Sequence, residues 1–233
     1  MVQQVIPETD AEIIYPESDG KPMADNTKQF RWIVTIKENL EILFASRDDV
    51  FIAGDLFWYP VKGNANIKQA PDTMVVFGRQ KCDRGSYKQW EEGDIPPQVV
   101  FEILSPSNRT KEMTNKLLFY QRYGVEEYYI YDPDKNELIG LVGSGNELEV
   151  IDEIDGWISP RLGIRFQLTP DNLEIFSPSG QKFLTPVEMN QLRELETQRA
   201  DREYQKREQL AAKLRELSPE QLAGLDINPE LLQ

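Results

Sequence analysis

The spacing of apolar residues in the first part of the chain predicts one helix. Asp25 or Asn26 is a suitable N-cap, and apolar positions recur at helical spacing from there to about residue 44. Some apolar side chains also fall on other faces of this helix, so we expect it to pack between a sheet and another part of the protein. The apolar positions at helical spacing are Phe30, Ile33, Val34, Leu40 and Phe44.

Three nearly continuous apolar runs follow, at 73–77, 99–104 and 128–131. Runs of this kind are typical of strands that are buried on both faces of a sheet. A helix is predicted over about 109–123, and Gly124 is suited to end it. The resulting strand–helix–strand unit predicts two parallel strands joined by a right-handed crossover. Together these patterns predict a mixed α/β sheet with a helix on each face.

Shorter strands are predicted beyond the third apolar run. Segments 137–142 and 147–152 flank the sequence Gly-Ser-Gly-Asn, which is typical of a hairpin turn. Two more short strands are predicted near 163–168 and 173–176. We interpret these four segments as an antiparallel extension of the same domain.

The C-terminal part of the chain differs in composition from the rest. Residues 186–217 are charged and helix-prone, with seven basic and seven acidic side chains, and residues 218–233 carry three acidic side chains. We therefore predict a domain over 1–185, a charged C-terminal helix over 186–217 and a tail over 218–233. The leucine pattern of the helix is interrupted, so both a solvated helix and a helix that packs on a second subunit stay open.

Composition excludes several classes of enzyme. The chain has no histidine, which excludes Ser-His-Asp and Cys-His catalysis, imidazole-based zinc sites and nucleases with a histidine base. Its one cysteine, Cys82, forms no internal disulfide and fits a reducing compartment. The chain has no apolar run of the ~18–20 residues of a membrane span and begins without signal-peptide features, so we expect a soluble cytoplasmic protein.

The charge of the chain is strongly acidic but unevenly distributed. The 40 acidic and 26 basic side chains give −14, of which −11 lies in residues 1–185. Such a surplus argues against a general nucleic-acid coat protein, which needs positive charge to bind phosphates. It does not exclude a nuclease, since the segment 105–123 carries a local net charge of +3.

Two carboxylates in the predicted sheet form the strongest candidate site. Glu102 interrupts a buried apolar strand, where a carboxylate is unfavourable unless it is paired, protonated or bound to a cation. Strand alternation turns Glu102 away from Phe101 and Ile103, and Asp72 at the start of another buried strand could lie beside it. A divalent cation would relieve the repulsion between the two carboxylates, and oxygen ligands suit Mg²⁺ or Mn²⁺.

Lys116 on the crossover helix is the candidate cation of this site. From there a lysine could reach the strand carboxylates and orient or deprotonate water, or offset charge on a phosphate. The other interpretations are a purely structural Glu102–Lys116 ion pair and a lysine that extends to solvent. Ser105 and Ser107 are interpreted as turn and cap residues, and Tyr120 as a core or rim residue.

Several motifs in this region resemble one known family. They are Pro-Asp at 71–72, Val-Val-Phe-Glu-Ile-Leu-Ser-Pro-Ser at 99–107, and Lys-Leu-x-x-Tyr-x-x-x-Gly-Val-x-Glu-Tyr-Tyr-x-x-Asp-Pro at 116–133. Over roughly residues 10–185 the chain resembles the Uma2 family, bacterial proteins also called DUF820 that are abundant in cyanobacteria. The resemblance implies a restriction-endonuclease-like fold of the PD-(D/E)xK superfamily.

The resemblance also implies roles for single residues. Asp72 matches the aspartate of the PD-(D/E)xK motif and Glu102 its acidic residue on the next strand, both as ligands of Mg²⁺ or Mn²⁺. Leu104 stands where the motif has lysine, so Lys116 on the following helix is expected to supply it. Asp55, on the strand before Asp72, matches a recurrent family aspartate and is expected to be a secondary member of the site.

Many such nucleases have a further acidic residue on the first helix, and Glu38 and Glu41 are the candidates for it here. Two main hypotheses of function stay open. The first is a metal-dependent endodeoxyribonuclease in which Asp72 and Glu102 hold the metal and Lys116 assists water. The second is an inactive relative that binds protein or nucleic acid, and the acidic domain and Leu104 support it.

A glycosidase that uses the two carboxylates is a third hypothesis, although neighbouring strands place them too close for an inverting enzyme. For the nuclease hypothesis, DNA is the expected partner and no membrane contact is expected. A homodimer would supply the two sites that cutting both strands of a duplex requires, and the charged C-terminal helix is a candidate to mediate it.

Overall fold

The computed structural model describes residues 13–18, 20, 22, 24–144 and 147–217. By its internal contacts the chain divides into two units, Met1–Phe183 and Leu184–Gln233. The described part of the N-terminal unit contains a six-stranded sheet and two α-helices, and that of the C-terminal unit contains a third α-helix. The predicted tail 218–233 and the centre of the predicted hairpin turn, 145–146, lie outside the described residues.

In the described part of the N-terminal unit each of the two α-helices is followed by a series of strands. Its elements are α1 (Thr27–Leu43), β1 (Val50–Ala53), β2 (Trp58–Tyr59), β3 (Thr73–Phe77), β4 (Tyr87–Lys88), β5 (Val99–Ile103), α2 (Thr110–Arg122), β6 (Glu127–Asp132), β7 (Glu137–Ser144), β8 (Glu147–Val150), β9 (Arg165–Leu168) and β10 (Leu173–Phe176). The C-terminal unit contains α3 (Pro186–Arg215), which begins with a capping box between Thr185 and Glu188. No helix in the described part of the chain combines the length and apolar character of a membrane span.

The main sheet has the strand order β1-β3-β5-β6-β7-β8. Strands β5 and β6 are parallel and are connected through α2, whereas the other neighbouring strands of this sheet are antiparallel. This confirms the predicted mixed sheet and the parallel strand–helix–strand unit. Strands β3, β5 and β6 are almost completely buried, as their continuous apolar runs predict.

One helix packs on each face of the main sheet, which is also as predicted. Ile36 and Leu40 of α1 belong to a hydrophobic cluster that includes Phe101 of β5. Tyr120 of α2 belongs to a second cluster that includes Val100 of the same strand. Because successive residues of a strand point to opposite faces, β5 contributes side chains to both clusters.

The ends of α1 and α2 follow local signals in the sequence. Asn26, one of the two predicted caps, accepts hydrogen bonds from the backbone N–H groups of Lys28 and Gln29. Gly124 follows α2 with a φ of +90°, a left-handed conformation that glycine adopts without strain. Phe30 departs from the prediction, because this residue of the apolar pattern is 47% exposed.

Two regions differ from the predicted strands. Of the strand-like segment that contains Asp55, Trp58 and Tyr59 form a strand, and it pairs with β4 outside the main sheet. Asp55 has a φ of +49°, and this left-handed residue turns the chain after β1. Of the predicted antiparallel extension, β7 and β8 continue the main sheet, whereas β9 and β10 form a separate two-stranded sheet.

Candidate active site

Asp72 and Glu102 lie side by side at one end of the main sheet. Strands β3 and β5 are antiparallel with Thr73 opposite Phe101, so Asp72 immediately before β3 comes opposite Glu102. Asp72 is 8% exposed and Glu102 is 2% exposed. The backbone N–H of Ile103 donates a hydrogen bond of 2.6 Å to Asp72 Oδ2, which holds the aspartate against β5.

Glu102 projects from the sheet toward α2. Lys116 Nζ donates to Glu102 Oε2 at 2.7 Å, and the Tyr120 hydroxyl donates to Oε1 at 2.5 Å. Lys116 and Tyr120 are four residues apart, so they lie on the same face of α2. The interpretation of Lys116 as a lysine that extends to solvent is wrong, since its side chain is 14% exposed. The structure thus brings Asp72, Glu102 and Lys116 together.

Burial and like charge dominate the electrostatics of this group. Burial, followed by the negative charge of Glu102, raises the pKa of Asp72 from its usual 3.8 to about 8. Burial by itself would lower the pKa of Lys116, but the charge and hydrogen bond of Glu102 outweigh it and raise this pKa. Burial and the Glu102 charge also raise the pKa of Tyr120, which is therefore a neutral donor. The group has one ammonium for two carboxyl groups.

Asp72 and Lys116 line a cleft of about 390 Å³ whose walls carry more acid than base. Its basic lining residues are Lys68 and Lys116. An acidic concave surface attracts cations and repels a phosphate chain unless a cation is bound. The acidic lining residues are Glu17, Asp25, Asp55, Asp72 and Glu112.

Asp55 lines the same cleft, but it does so from a turn and not from a strand, which corrects the prediction. It follows β1 by two residues, and its backbone N–H donates to the carbonyl of Pro71 at 3.0 Å. This bond holds the turn against the residue that precedes Asp72. The Asp55 side chain is exposed, and its charge is a further cause of the raised pKa of Asp72, after burial and Glu102. Asp55 therefore lies at the rim of the cleft.

The acidic candidates on α1 are not among the residues that line this cleft. Lys37 forms ion pairs with Glu38 at 3.0 Å and with Glu41 at 3.7 Å. The α1 residue that reaches the site is Gln29, which is 7% exposed and donates from Nε2 to the Ile103 carbonyl at 2.8 Å. The residue that α1 contributes to the site is therefore an amide, Gln29, and not one of the two expected glutamates.

Asp25 is a second residue of the cleft, and no pattern in the sequence predicts a role for it in the site. It accepts hydrogen bonds from the Ser105 hydroxyl at 2.6 Å and from the Ser107 hydroxyl. These bonds lower the pKa of Asp25. The Ser105 N–H also donates to Asn108 Oδ1 at 2.7 Å, so both serines organise the turn before α2. The capping signal near Asp25 marks a helix start, but it does not indicate this long-range contact.

The donor set at the carboxylate pair fits a hard divalent cation. Asp72 and Glu102 occupy opposed positions at neighbouring strands, so their carboxyl groups share one face of the sheet, and the chain has no histidine to compete with them. Among the described residues, no group of three or more acidic or thiol side chains is arranged to hold a metal ion. Two protein carboxylates would leave coordination positions for water and for substrate oxygens, as Mg²⁺ sites commonly do.

A mixed sheet of six strands with a helix on each face places this chain in the predicted α/β fold class. Residues 12–183 match the model of the Uma2 family, whose description is "Putative restriction endonuclease". The chain therefore belongs to the Uma2 family, as its motifs predict. This membership supports a nuclease-like function, and restriction-endonuclease-like families generally use divalent metals.

One solved structure that the chain resembles is described as "a putative nuclease belonging to DUF820" from Anabaena variabilis. The two sequences are 19% identical, and the match has a TM-score of 0.44. It covers 60% of this chain and 74% of that chain. No curated protein matches the sequence.

Proposed function

We propose that this protein is a divalent-metal-dependent endonuclease that hydrolyses phosphodiester bonds of DNA. The observation that carries the proposal is the convergence of Asp72, Glu102 and Lys116, with Lys116 bonded to Glu102 at 2.7 Å and the pKa of Asp72 raised to about 8. A carboxylate pair beside a lysine is suited to binding Mg²⁺ or Mn²⁺ and a phosphate together. Membership of the Uma2 family supports the same class of reaction.

In this proposal Asp72 and Glu102 hold the metal through their carboxylate oxygens. The bound cation would supply Lewis-acid activation of the phosphate. Lys116 stays protonated because its pKa is raised, so it acts as a hydrogen-bond donor and a positive charge and not as a base. Its ammonium can offset the negative charge that grows on the phosphate oxygens. Tyr120 is a positioning residue, since it acts on the substrate only through Glu102.

We also propose how the chain is divided around this site. We assign the site to a nuclease-like domain over 1–185, followed by the charged helix over 186–217 and the tail over 218–233. Asp55 is a secondary member of the site because it lies at the rim of the cleft. A homodimer would present two such sites to the two strands of a duplex, and the charged helix is the element that we expect to mediate it.

Cleavage assays on plasmid and branched DNA, with Mg²⁺ and with Mn²⁺, test the nuclease proposal. We expect cleavage by the parent protein and its loss in Asp72→Asn, Glu102→Gln and Lys116→Met. Glu41→Gln is the matched control, because Glu41 is an acidic residue of the same unit outside the cleft lining, and it should keep parental activity. Inactive parent protein, or cleavage that survives all three site substitutions, would contradict the proposal.

A binding role without turnover is the second candidate function. Two observations favour it, namely the surplus of acidic residues along the cleft and Leu104 at the position where the motif has lysine. The same assays separate the two candidates. A binding module would retain DNA in a mobility-shift experiment with and without Mg²⁺, and it would leave every DNA form intact.

A further inference from the structure

Lys68 lies where two depressions of the N-terminal unit adjoin. One is the cleft with Asp72 and Lys116, and the other has a volume of about 1320 Å³ and runs beside the C-terminal half of α2. We call the second depression the α2 groove. Lys68 and Gln69 line both depressions, so a strand that continues from the cleft into the α2 groove passes Lys68. The α2 groove is lined among others by Asn115, Leu118, Arg122, Glu147 and Arg161.

The position of Lys68 is fixed by the surrounding backbone and aromatic rings. Trp58 and Gln69 exchange two backbone hydrogen bonds of 2.7 and 3.2 Å, which hold the segment of Lys68 beside β2. The Lys68 ammonium lies 4.1 Å from the ring centre of Phe57 and 5.6 Å from that of Tyr59. Both rings belong to buried residues. The ammonium therefore lies against aromatic faces and donates to the Tyr59 hydroxyl at 3.5 Å, and these uncharged partners do not neutralise its charge.

Lys68 differs from the other cation of the cleft because it forms no ion pair with the described residues. Lys116 forms an ion pair with Glu102. Lys68 forms none with the described residues, although five acidic side chains line the same cleft. An ammonium that is preorganised at the edge of a cleft and not neutralised by a carboxylate is suited to bind an anion such as a phosphate.

The α2 groove provides a second cation beyond Lys68. Within the described part of the chain Arg122 has no ion-pair partner, whereas Arg161 pairs with Glu126 at 2.5 Å. Of the lining carboxylates, Glu127 is buried and Glu126 is the partner of Arg161, so among the described residues Glu147 is the exposed one outside an ion pair. The path from the cleft into the α2 groove is therefore less acidic than the cleft itself.

We propose that Lys68 binds a phosphate of the DNA strand next to the phosphate that is cut, and that the α2 groove receives the strand beyond it. The identity of the anion as DNA rests on the proposed function. Lys68 supplies the electrostatic attraction that the acidic cleft lacks. It lies four residues before Asp72 and belongs to both depressions, so the phosphate it contacts is a neighbour of the reacting one.

DNA binding by full-length variants tests this inference. Affinities are measured by fluorescence anisotropy with labelled single-stranded and duplex oligonucleotides, in a Glu102→Gln background that keeps the DNA intact. Lys68→Met preserves the aliphatic stem on Phe57 and removes the charge, so we expect about tenfold weaker binding and a salt slope smaller by about one. Lys68→Arg keeps the charge and should bind within about twofold of its parent. Lys62→Met is the matched control, because Lys62 is an exposed lysine that lines neither depression.

Each outcome distinguishes this inference from the proposed function. Three results would overturn the inference. They are an unchanged DNA affinity and salt slope in Lys68→Met, an equal loss of DNA affinity in Lys62→Met, and no DNA binding by the Glu102→Gln protein with Lys68 intact. Cleavage is measured in parallel with an intact Glu102. A parent that cleaves DNA, with unchanged binding and KM in Lys68→Met, overturns the inference alone. Binding that depends on Lys68 without any cleavage supports a DNA-phosphate site at Lys68 and overturns the proposed function.

Discussion

Two buried glutamates on neighbouring parallel strands differ in the charge of the groups around them. Glu102 on β5 is 2% exposed and Glu127 on β6 is 1% exposed. Each accepts a hydrogen bond from a tyrosine hydroxyl, Tyr120 for the first and Tyr129 for the second. A buried carboxylate is unfavourable unless its oxygens are satisfied. The two glutamates meet this requirement in different ways.

Neutral donors surround Glu127. Its Oε2 accepts from the Tyr129 hydroxyl at 2.8 Å and from the Ser159 hydroxyl, and its Oε1 accepts from the Arg161 backbone N–H at 2.6 Å. Burial raises the pKa of Glu127, while these hydrogen bonds oppose the rise. The contacts tie the segment 159–161 to β6. We therefore interpret Glu127 as a structural residue, because uncharged donors alone satisfy its oxygens, whereas a charged donor, Lys116, satisfies one oxygen of Glu102.

Glu102 has a second carboxyl group beside it. Asp72 lies opposite, and burial together with the charge of Glu102 raises its pKa to about 8. Lys116 supplies one positive charge for the two carboxyl groups, and Asp72 lines the cleft, whereas Glu102 is buried and is not among the residues that line it. The comparison teaches that burial alone does not distinguish a candidate functional carboxylate from a structural one. Like charge beside an accessible cleft is the feature that sets the Asp72–Glu102 pair apart.

The largest expected difference between the two glutamates is in catalysis. Glu102→Gln should reduce DNA cleavage by at least ~100-fold, since losing groups that merely support metal ligands already reduces activity about 10–100-fold. Glu127→Gln should retain the turnover number per folded molecule. Plasmid nicking rates at saturating Mg²⁺, normalised to the folded fraction, measure both. Equal losses in the two variants would remove the distinction.

Stability should not separate the two glutamates. Glu127→Ala leaves three hydrogen-bond donors without their acceptor, so we expect a loss of ~3 kcal/mol in the free energy of unfolding. Glu102→Ala breaks the buried ion pair with Lys116 and removes the acceptor of the Tyr120 hydroxyl, so we expect a loss of about 3–5 kcal/mol. Urea unfolding without metal measures both variants. A loss below ~1 kcal/mol in Glu102→Ala would contradict this interpretation.

The free energy of unfolding should depend on pH through Asp72, the carboxyl group that lies beside Glu102. The Asp72 carboxyl has a pKa of about 8 in the metal-free folded protein and an ordinary value of 3.8. Between these values the unfolded chain releases the proton while the folded chain retains it, so rising pH destabilises the fold. From about pH 5 to about pH 8 we expect the parent to lose ~3.5 kcal/mol relative to Asp72→Asn.

Urea unfolding in EDTA at the two pH values checks this prediction. Parallel pH dependence of the parent and Asp72→Asn would show that Asp72 is not the group responsible. Added Mg²⁺ gives a second readout, because it should raise the melting temperature of the parent and leave that of Asp72→Asn almost unchanged.

The smallest effect is expected from the two tyrosines. Tyr120→Phe removes one of the two hydrogen bonds that orient Glu102, so half-maximal cleavage should require about tenfold more Mg²⁺. Tyr129→Phe removes the corresponding bond of Glu127 and should leave the Mg²⁺ requirement unchanged. Mg²⁺ titrations of the cleavage rate measure both. The same shift in both variants would indicate a general loss of packing and not the positioning of Glu102.

Local patterns predict much of the framework that carries the site. The cap at Asn26, the end of α2 before Gly124 and the apolar runs of β3, β5 and β6 are each determined by neighbouring residues. Glu102 is recognisable because it interrupts such a run. Helix and strand periodicities report burial along a single element, and a charged residue within a buried run stands out from its local context.

Contacts between distant segments were not predictable in the same way. Glu126 and Glu127 are adjacent and chemically identical, yet Glu126 pairs with Arg161 at the surface while Glu127 is buried. On α1 the sequence favoured Glu38 and Glu41, whereas Gln29 contacts β5. These choices depend on how a helix docks and on which loop covers a strand, and neither is encoded in the spacing of polar residues.

The sequence by itself determined the chemistry that is available: no histidine, two carboxylates at or within buried strands, and a lysine on the helix between β5 and β6. The tertiary structure decided which of these groups meet. The register of β3 against β5 sets Asp72 opposite Glu102, and the docking of α2 directs Lys116 onto the same glutamate. It also decided that Lys68, at the edge of the cleft, contacts aromatic rings and forms no ion pair with the residues that the structure describes. The physical reason is that side-chain periodicity is local, whereas charge pairing depends on distances between segments far apart in the chain.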